Sequence, residues 1–462
     1  MEQPTPPRGR ITAHLSLVLA SALAGVVVLY GVLTAKLALD AHAHAHGWPR
    51  GLGWLLMVLP LLAIATVAAG TRSAASGPRV TRFGGPAKAV AVLVALAALW
   101  PGWLGFEWMR GPHAYAWTWY APDRPATARP LDAWSLGPTG MVRARSDALF
   151  LFNGEGRSGG TLRAPEGTSV CALSRTTPAF TGLVAYGRDA AGACGARVEA
   201  VDLRSSGGRL WGRDLSPAGG VPPVAVDGTA VVLDEAALLG LDLTSGTERW
   251  RAPLGTDCRV TALDGADGRI LAVADCAGRP RLRALDAVTG RALWESPLAG
   301  TGRVLSVRPA AVQVPDGSVL LFDDTGRPRG SVAGLPTQPT PLAVGGLLIA
   351  SGQGKKPGLS AYSLTDGRRV WHAGLDGHDV RGIAPGRAGG VDVVTSDRWW
   401  TYLWHLNGDS GAPGQRPTVL RDVPLGRRFE VYADQPAGYT FVNLDEGGRL
   451  PVYFSVRPVI GW

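Results

Sequence analysis

The 462-residue chain has a formal charge of +9, from 46 Lys and Arg against 37 Asp and Glu. Residues 1–108 hold 8 basic and 3 acidic side chains, which leaves 38 and 34 in the rest, so the large region is nearly balanced. It has no basic stripe, and a nucleic-acid partner is excluded as a reading. Lys occurs only at 36, 88, 355 and 356, and the preference for Arg, Ala and Gly suggests a high-GC bacterial genome.

Hydropathy divides the chain into a membrane region, 1–108, a linker, 109–138, and a large region, 139–462. Three apolar stretches, 15–33, 54–69 and 89–106, predict transmembrane helices over about 13–36, 52–70 and 88–106. Each is near the roughly 20 residues that a helix needs to cross the hydrocarbon core. The first run exceeds the ~7–15 apolar residues of a secretory signal and is followed by two more, so it reads as a retained anchor.

Arg8 and Arg10 precede the first span, and Arg72, Arg79, Arg82 and Lys88 fill the second loop, whereas the first loop offers only Lys36 and Arg50. Because Lys and Arg near span ends stay on the cytoplasmic side, the N-terminus and second loop are expected inside and everything after Phe106 outside. Trp103, Phe106, Trp108, Tyr115, Trp117, Trp119 and Tyr120 crowd the exit of the third span, where amphipathic rings favour the headgroup layer; the last four are equally placed to pack on the following domain. His42, His44 and His46 alternate with Ala in the first outer loop. That spacing suits a transition metal in an extended segment, but no Cys and only Asp40 accompany them, so a solvated loop is the simpler reading.

Beyond the linker, short β-branched and apolar runs alternate with Gly, Asp and Pro turns. Leu241-Asp242-Leu243-Thr244-Ser245-Gly246 is followed by Trp250, and Leu285-Asp286-Ala287-Val288-Thr289-Gly290 by Trp294. Tyr362-Ser363-Leu364-Thr365-Asp366-Gly367 with Trp371 repeats the frame, and Val201-Asp202 through Gly207 to Trp211 repeats it with one extra residue. Weaker copies without Trp end at Gly156, Gly326, Gly411 and Gly447. The turn glycines are spaced by 36 to 51 residues, the period of four-stranded propeller blades. In each copy the Asp or Thr bonds the turn backbone, Gly accepts a positive φ, and the Trp opens the next strand, where its ring can wedge between sheets. The expected fold is an all-β propeller of about eight four-stranded blades, or seven if one end copy only closes the ring, preceded by three transmembrane α-helices.

These residues resemble the PQQ-like β-propeller repeat family, in which an Asp-x-x-Thr-Gly-x-x-x-Trp signature marks each blade. The resemblance covers about residues 140–462. The family includes dehydrogenases that use pyrroloquinoline quinone and envelope scaffold proteins of outer-membrane protein assembly, so fold alone does not choose between chemistry and binding.

The four cysteines all lie in the large region. Cys194 is 13 residues before Gly207 and Cys276 is 14 before Gly290; Cys171 and Cys258 are 36 and 32 before the same glycines. Two alternate blades therefore carry a pair at matching offsets, and Cys258 and Cys276 bracket a hairpin whose ends should meet. Disulfides 171–194 and 258–276 are expected, as suits an oxidising compartment; neither pair has the Cys-x-x-Cys spacing of zinc sites.

Candidates for catalysis are few. The resemblance implies adjacent cysteines, calcium ligands and a catalytic Asp on long insertions in a quinoprotein dehydrogenase, and this chain has no Cys-Cys pair and short blades. Asp242 and Asp286 recur because the turn uses them. No nucleophile elbow or phosphate-binding loop is present, and no catalytic, cofactor or metal residue is assigned. If residues 398–405 form a strand, Trp400, Tyr402 and Trp404 share a face that stacks on a sugar or partner protein, or packs between blades. The function expected is a membrane-anchored, extracytoplasmic scaffold or binding module without cofactor, with the cytoplasmic membrane and envelope proteins as partners. A membrane quinoprotein dehydrogenase is the first alternative and an extracytoplasmic sensor the second.

Overall fold

The structure is a computed structural model. It describes residues 128–153, 158–187, 194–204, 208–216, 220–255, 257–352, 358–397, 401–414, 417–421, 425–435 and 438–444, the strands His113–Trp119 and Tyr453–Pro458, and five helical positions, Gly25, Leu29, Gly31, Leu61 and Ala65. Among the described residues no helix is long and apolar enough to cross a membrane. Apart from those five positions, the three expected spans lie outside the described residues, as do the second loop, the histidine tract, Gly156, Gly207, Trp400 and Gly447.

The chain divides into two compact units, one of residues 1–115, 416–419 and 458–462 and one of residues 116–415 and 420–457. The second carries the repeats. Six four-stranded antiparallel sheets follow one another within 130–163, 169–214, 224–253, 258–297, 303–332 and 342–374. A seventh sheet has eight strands, in the order Asp379–Pro385, Val391–Ser396, Thr401–Leu406, Thr418–Arg421, His113–Trp119, Tyr453–Pro458, Gly438–Asn443 and Phe429–Gln435. Counted by sheets, this is a seven-bladed all-β propeller. The difference from about eight arises because two runs of four strands join through Thr418–Arg421 and His113–Trp119. His113–Trp119 and Pro130–Ser135 also fall inside the stretch expected as a linker, so strands begin well before residue 139.

The first strands line the inside of the ring. Cys258–Ala266 touches both Val224–Val226 and Arg303–Ser306, Leu342–Val344 touches Arg303–Ser306 and Asp379–Pro385, and Phe429–Gln435 touches Asp379–Pro385 and Pro130–Ser135. Alternating residues of each strand face the two neighbouring sheets. Apolar clusters therefore fill the seams, as where Leu183, Ala185 and Val198 of the second sheet meet Ala230, Val232 and Leu239 of the third.

A shared irregularity sets the fourth strands. Each of the first six has a bulge near its start, after which Trp211 faces Ala200, Trp250 faces Gly240, Trp294 faces Ala284 and Trp371 faces Ala361 across the ladder. Where the Trp is missing, Gly160 faces Leu151 and Gly330 faces Leu321. A bulge re-aims the side chains that follow it, and here it turns a large ring over a small partner toward the next sheet.

Candidate functional site

The repeat residues form the joints between sheets. The ring of Trp211 lies over Gly246 in the next sheet's turn, Trp250 over Gly290, Trp294 over Gly326 and Trp371 over Gly411; a Cβ on any of these glycines would enter the ring. All four glycines, and Gly367, have φ between +67° and +81°, a region that side chains disfavour. Trp211, Trp250 and Trp371 each donate Nε1–H to a carbonyl of that turn, on Leu243, Ala287 and Gly408, at 2.8–3.0 Å. The Trp294 Nε1 is buried without a hydrogen-bond partner. The turn beneath it is one residue shorter: Gly326 N bonds Asp323 O, whereas Gly246 N reaches back four residues to Asp242 O.

The turn carboxylates are spent on their own loops. Asp242 accepts from the Thr244 and Ser245 amides and the Ser245 hydroxyl and meets the Arg249 guanidinium. The Ser245 amide, then Arg249, holds it down at about 2. Asp286 does the same with Val288 and Thr289, Asp323 with Thr325 and Arg327, and Asn407 takes the place with Asp409 and Ser410. In the sixth sheet Ser363 substitutes, accepting from the Thr365 amide.

Cys171 is bonded to Cys194 and Cys258 to Cys276, with Cα atoms 5.7 and 4.0 Å apart. The two pairs are not equivalent in register: Cys194 and Cys276 lie 13 and 14 residues before their turn glycines, but Cys171 and Cys258 lie 36 and 32 before them. Cys171 sits in the first-strand bulge, with its sulfur on the Ala185 carbonyl. The corresponding place in the fourth sheet is Thr261, whose hydroxyl bonds the Val273 carbonyl; Cys258 comes three residues earlier and faces Cys276 directly. Cys194 lies beyond the second strand, in a connection longer than the two-residue turn after Cys276, and counting back from the glycine hides that difference.

One charged cluster has no counterpart in the motif. Asp132 and Glu430 come from the first strands Pro130–Ser135 and Phe429–Gln435, which touch, and Arg428 precedes the second of them. Burial raises the Asp132 carboxyl, against the pull of the Ala133 amide and Arg428. Burial, then the charge of Asp132, pushes Glu430 up to about 7, against Arg175 and Arg428. Glu430 is nevertheless an exposed residue, so water screens this effect. Arg175 follows the first strand of the second sheet and its Nη1 lies 2.7 Å from Asp264 Oδ2 in the fourth. Its neighbour Thr176 donates to the Ala225 carbonyl, so this segment crosses the short first strand of the third sheet. Acids and arginines from four separate stretches thus meet on the inner face of the ring. Sequence reasoning missed them because no spacing relates positions 132, 175, 264 and 430.

The aromatic stretch packs between sheets. Trp404 is buried beside Trp371 and Leu406 and donates to the Thr395 hydroxyl. Tyr402 stacks on His378 at 4.5 Å and donates to Asp397, while burial raises its phenol to about 12. Nearby, His405 Nδ1 lies 2.7 Å from Asp392 Oδ1. Among the described residues no group of three or more His, Cys, Asp or Glu could hold a metal ion.

A family model described as outer membrane protein assembly factor BamB matches residues 195–339. No curated protein sequence matches the chain. BamB from Moraxella catarrhalis is similar at 14% identity and a TM-score of 0.44, over 72% of this chain and 100% of that one. The quinohemoprotein alcohol dehydrogenase ADHIIG from Pseudomonas putida HK5 is similar at 11% identity and 0.47, over 75% and 76%. The C-terminal WD40 domain of Sif2 is similar at 11% identity and 0.46, over 71% and 96%. These scores are too low to carry an argument about function.

Proposed function

We propose that the protein is a scaffold or binding module of the cell envelope, anchored by three N-terminal spans with its propeller on the outer side of the cytoplasmic membrane. The observation that carries this reading is the cluster of Asp132, Arg175, Asp264, Arg428 and Glu430. Arg175, Arg428 and Glu430 in it are exposed, with Arg175 tied to the buried Asp264, whereas the motif carboxylates are consumed by turn backbone. The two disulfides support an oxidising, extracytoplasmic setting for the propeller. The match of residues 195–339 to an assembly-factor family supports a protein partner.

The test is capture of the full chain from gently solubilised membranes, followed by mass spectrometry. The triple variant Asp132→Asn, Arg175→Ala, Glu430→Gln should lose an envelope protein that the native chain retains, with its disulfides and cooperative unfolding retained. Identical co-purification of native and variant chains would remove the inner face from the function.

A further inference from the structure

We propose that His405 and Asp392 form a proton-controlled latch on the seam between Val391–Ser396 with Thr401–Leu406 and the neighbouring strand Gly438–Asn443, closed while the imidazole is protonated and loosened when it is neutral. Val391, Val393, Trp404 and Leu406 pack with Ile349 and Leu359 of the sixth sheet. By strand alternation Asp392 and His405, which face each other across the ladder, project to the opposite side. That side meets Gly438–Asn443: the Arg387 guanidinium lies 5.0 Å over the Tyr439 ring, and the Asp392 charge raises the Tyr439 phenol after burial does.

Asp392 is 1% exposed, with His405 on its Oδ1 and the Tyr439 phenol also acting on it through a hydrogen bond. A carboxylate so placed is expensive unless a cation accompanies it. His405 supplies that cation from the next strand, and its side chain is 33% exposed, so solvent protons reach it. Of the other charged groups on the elements packed here, Arg387 lies over Tyr439 and its fixed charge acts on both members of the pair, favouring the Asp392 carboxylate and opposing protonation of His405 less than Asp392 promotes it. Arg381 donates to the Gly426 carbonyl, Glu430 belongs to the inner cluster, and Asp397 sits at the far end of its strand pair with Tyr402 and His378.

The sign follows from the folded state. The Asp392 hydrogen bond holds His405 above its ordinary value of 6.5. The pair therefore contributes fully below about 6.5, and its contribution is lost as pH rises through the folded value. Asp392, raised by burial, has the same sign: its contribution is present below its ordinary value of 3.8 and is lost as pH rises through its folded value, above which the carboxylate needs the charged imidazole.

The test is hydrogen exchange of the full chain, with protection corrected for intrinsic rates, at pH 5.5 and pH 8. Opening of Gly438–Asn443 should rise severalfold between these values, while Val224–Val226 serves as an unchanged reference. The rise should persist in Glu430→Gln, which removes the other nearby titrating group, and vanish in His405→Gln and Asp392→Asn. Equal protection of Gly438–Asn443 at both pH values in the native chain would overturn the latch, as would a native-sized rise in His405→Gln. If either variant does not fold, the native and Glu430→Gln chains decide the question alone.

Discussion

The seams that leave the second, third, fourth and sixth sheets differ from the one that leaves the fifth. In the four, an indole spans the gap and rests on a turn glycine of the next sheet. In the fifth, Gly330 stands at the indole's place in the ladder. The backbones close up instead: a Cβ on Gly330 would meet the Asp366 carbonyl at 2.7 Å, and one on Gly367 the Ser331 carbonyl at 3.0 Å. The first sheet also lacks the repeat Trp but takes a different ring, Trp134 of its first strand, over Gly182 and with its N–H on the Ser174 carbonyl. A missing motif residue therefore signals a change in how neighbouring sheets seat, not a missing blade.

The strongest way to break this comparison is to remove an indole. Trp250→Ala should cost about 3–5 kcal/mol, as truncation of a large buried ring does, measured by denaturant unfolding of the full chain. A loss under 1 kcal/mol would place the seam's stability elsewhere. Replacing Cys258 and Cys276 by Ser should come next. This opens a link of sequence separation 18 and costs about 2–4 kcal/mol, read against the reduced native protein as control.

Smaller changes sharpen the comparison. Gly240→Ala adds a methyl under the Trp250 ring and Gly330→Ala one under a carbonyl; each should cost about 1–3 kcal/mol. In the double variant Gly240→Ala, Trp250→Ala the first penalty should vanish, and a double-mutant cycle would show it. Replacing Trp by Phe should separate two indoles that look alike in sequence. At 250 the change loses the hydrogen bond to Ala287, and at 294 it loses none, so the 250 variant should be weaker by about 1 kcal/mol. Equal losses would mean that the short Asp323 to Gly326 turn has no energetic consequence.

The smallest effect expected lies in pH dependence. Glu430 is raised in the folded state from 4.5 to about 7, so folding favours its protonated form. Stability from this group is present below about 4.5 and declines as pH rises to about 7. Melting temperatures of Glu430→Gln should accordingly be flatter than native over that window. An unchanged slope would contradict the placement of Glu430 beside Asp132, and because the group remains in contact with water the slope should be shallow.

Much of this was readable from the chain because the chemistry is local. Asp242, Gly246 and Trp250 fall within nine residues and serve one turn and the strand after it, so period and spacing expose them. The cysteine partners were readable for the same reason, but the register of Cys171 was not, since the longer connection between the second and third strands of its sheet shifts the count back from Gly207. Residues 130–135 looked like linker because a Pro- and Ala-rich composition masks a strand whose Trp134 is 3% exposed. The inner cluster was illegible for a deeper reason. Asp132 and Glu430 are neighbours only because the ring brings its two ends together, and Arg175 reaches Asp264 by crossing another sheet.

The central claim, that the inner face contacts an envelope partner, is tested most directly by photo-crosslinking in intact cells. A photoreactive residue would replace Arg175 or Arg428 on the inner face, or Arg213 or Arg251 on the fourth strands as outer controls. The account predicts a discrete adduct with one envelope protein from the inner positions and none from the outer ones. Adducts from the outer positions alone would contradict it and move the contact surface to the rim.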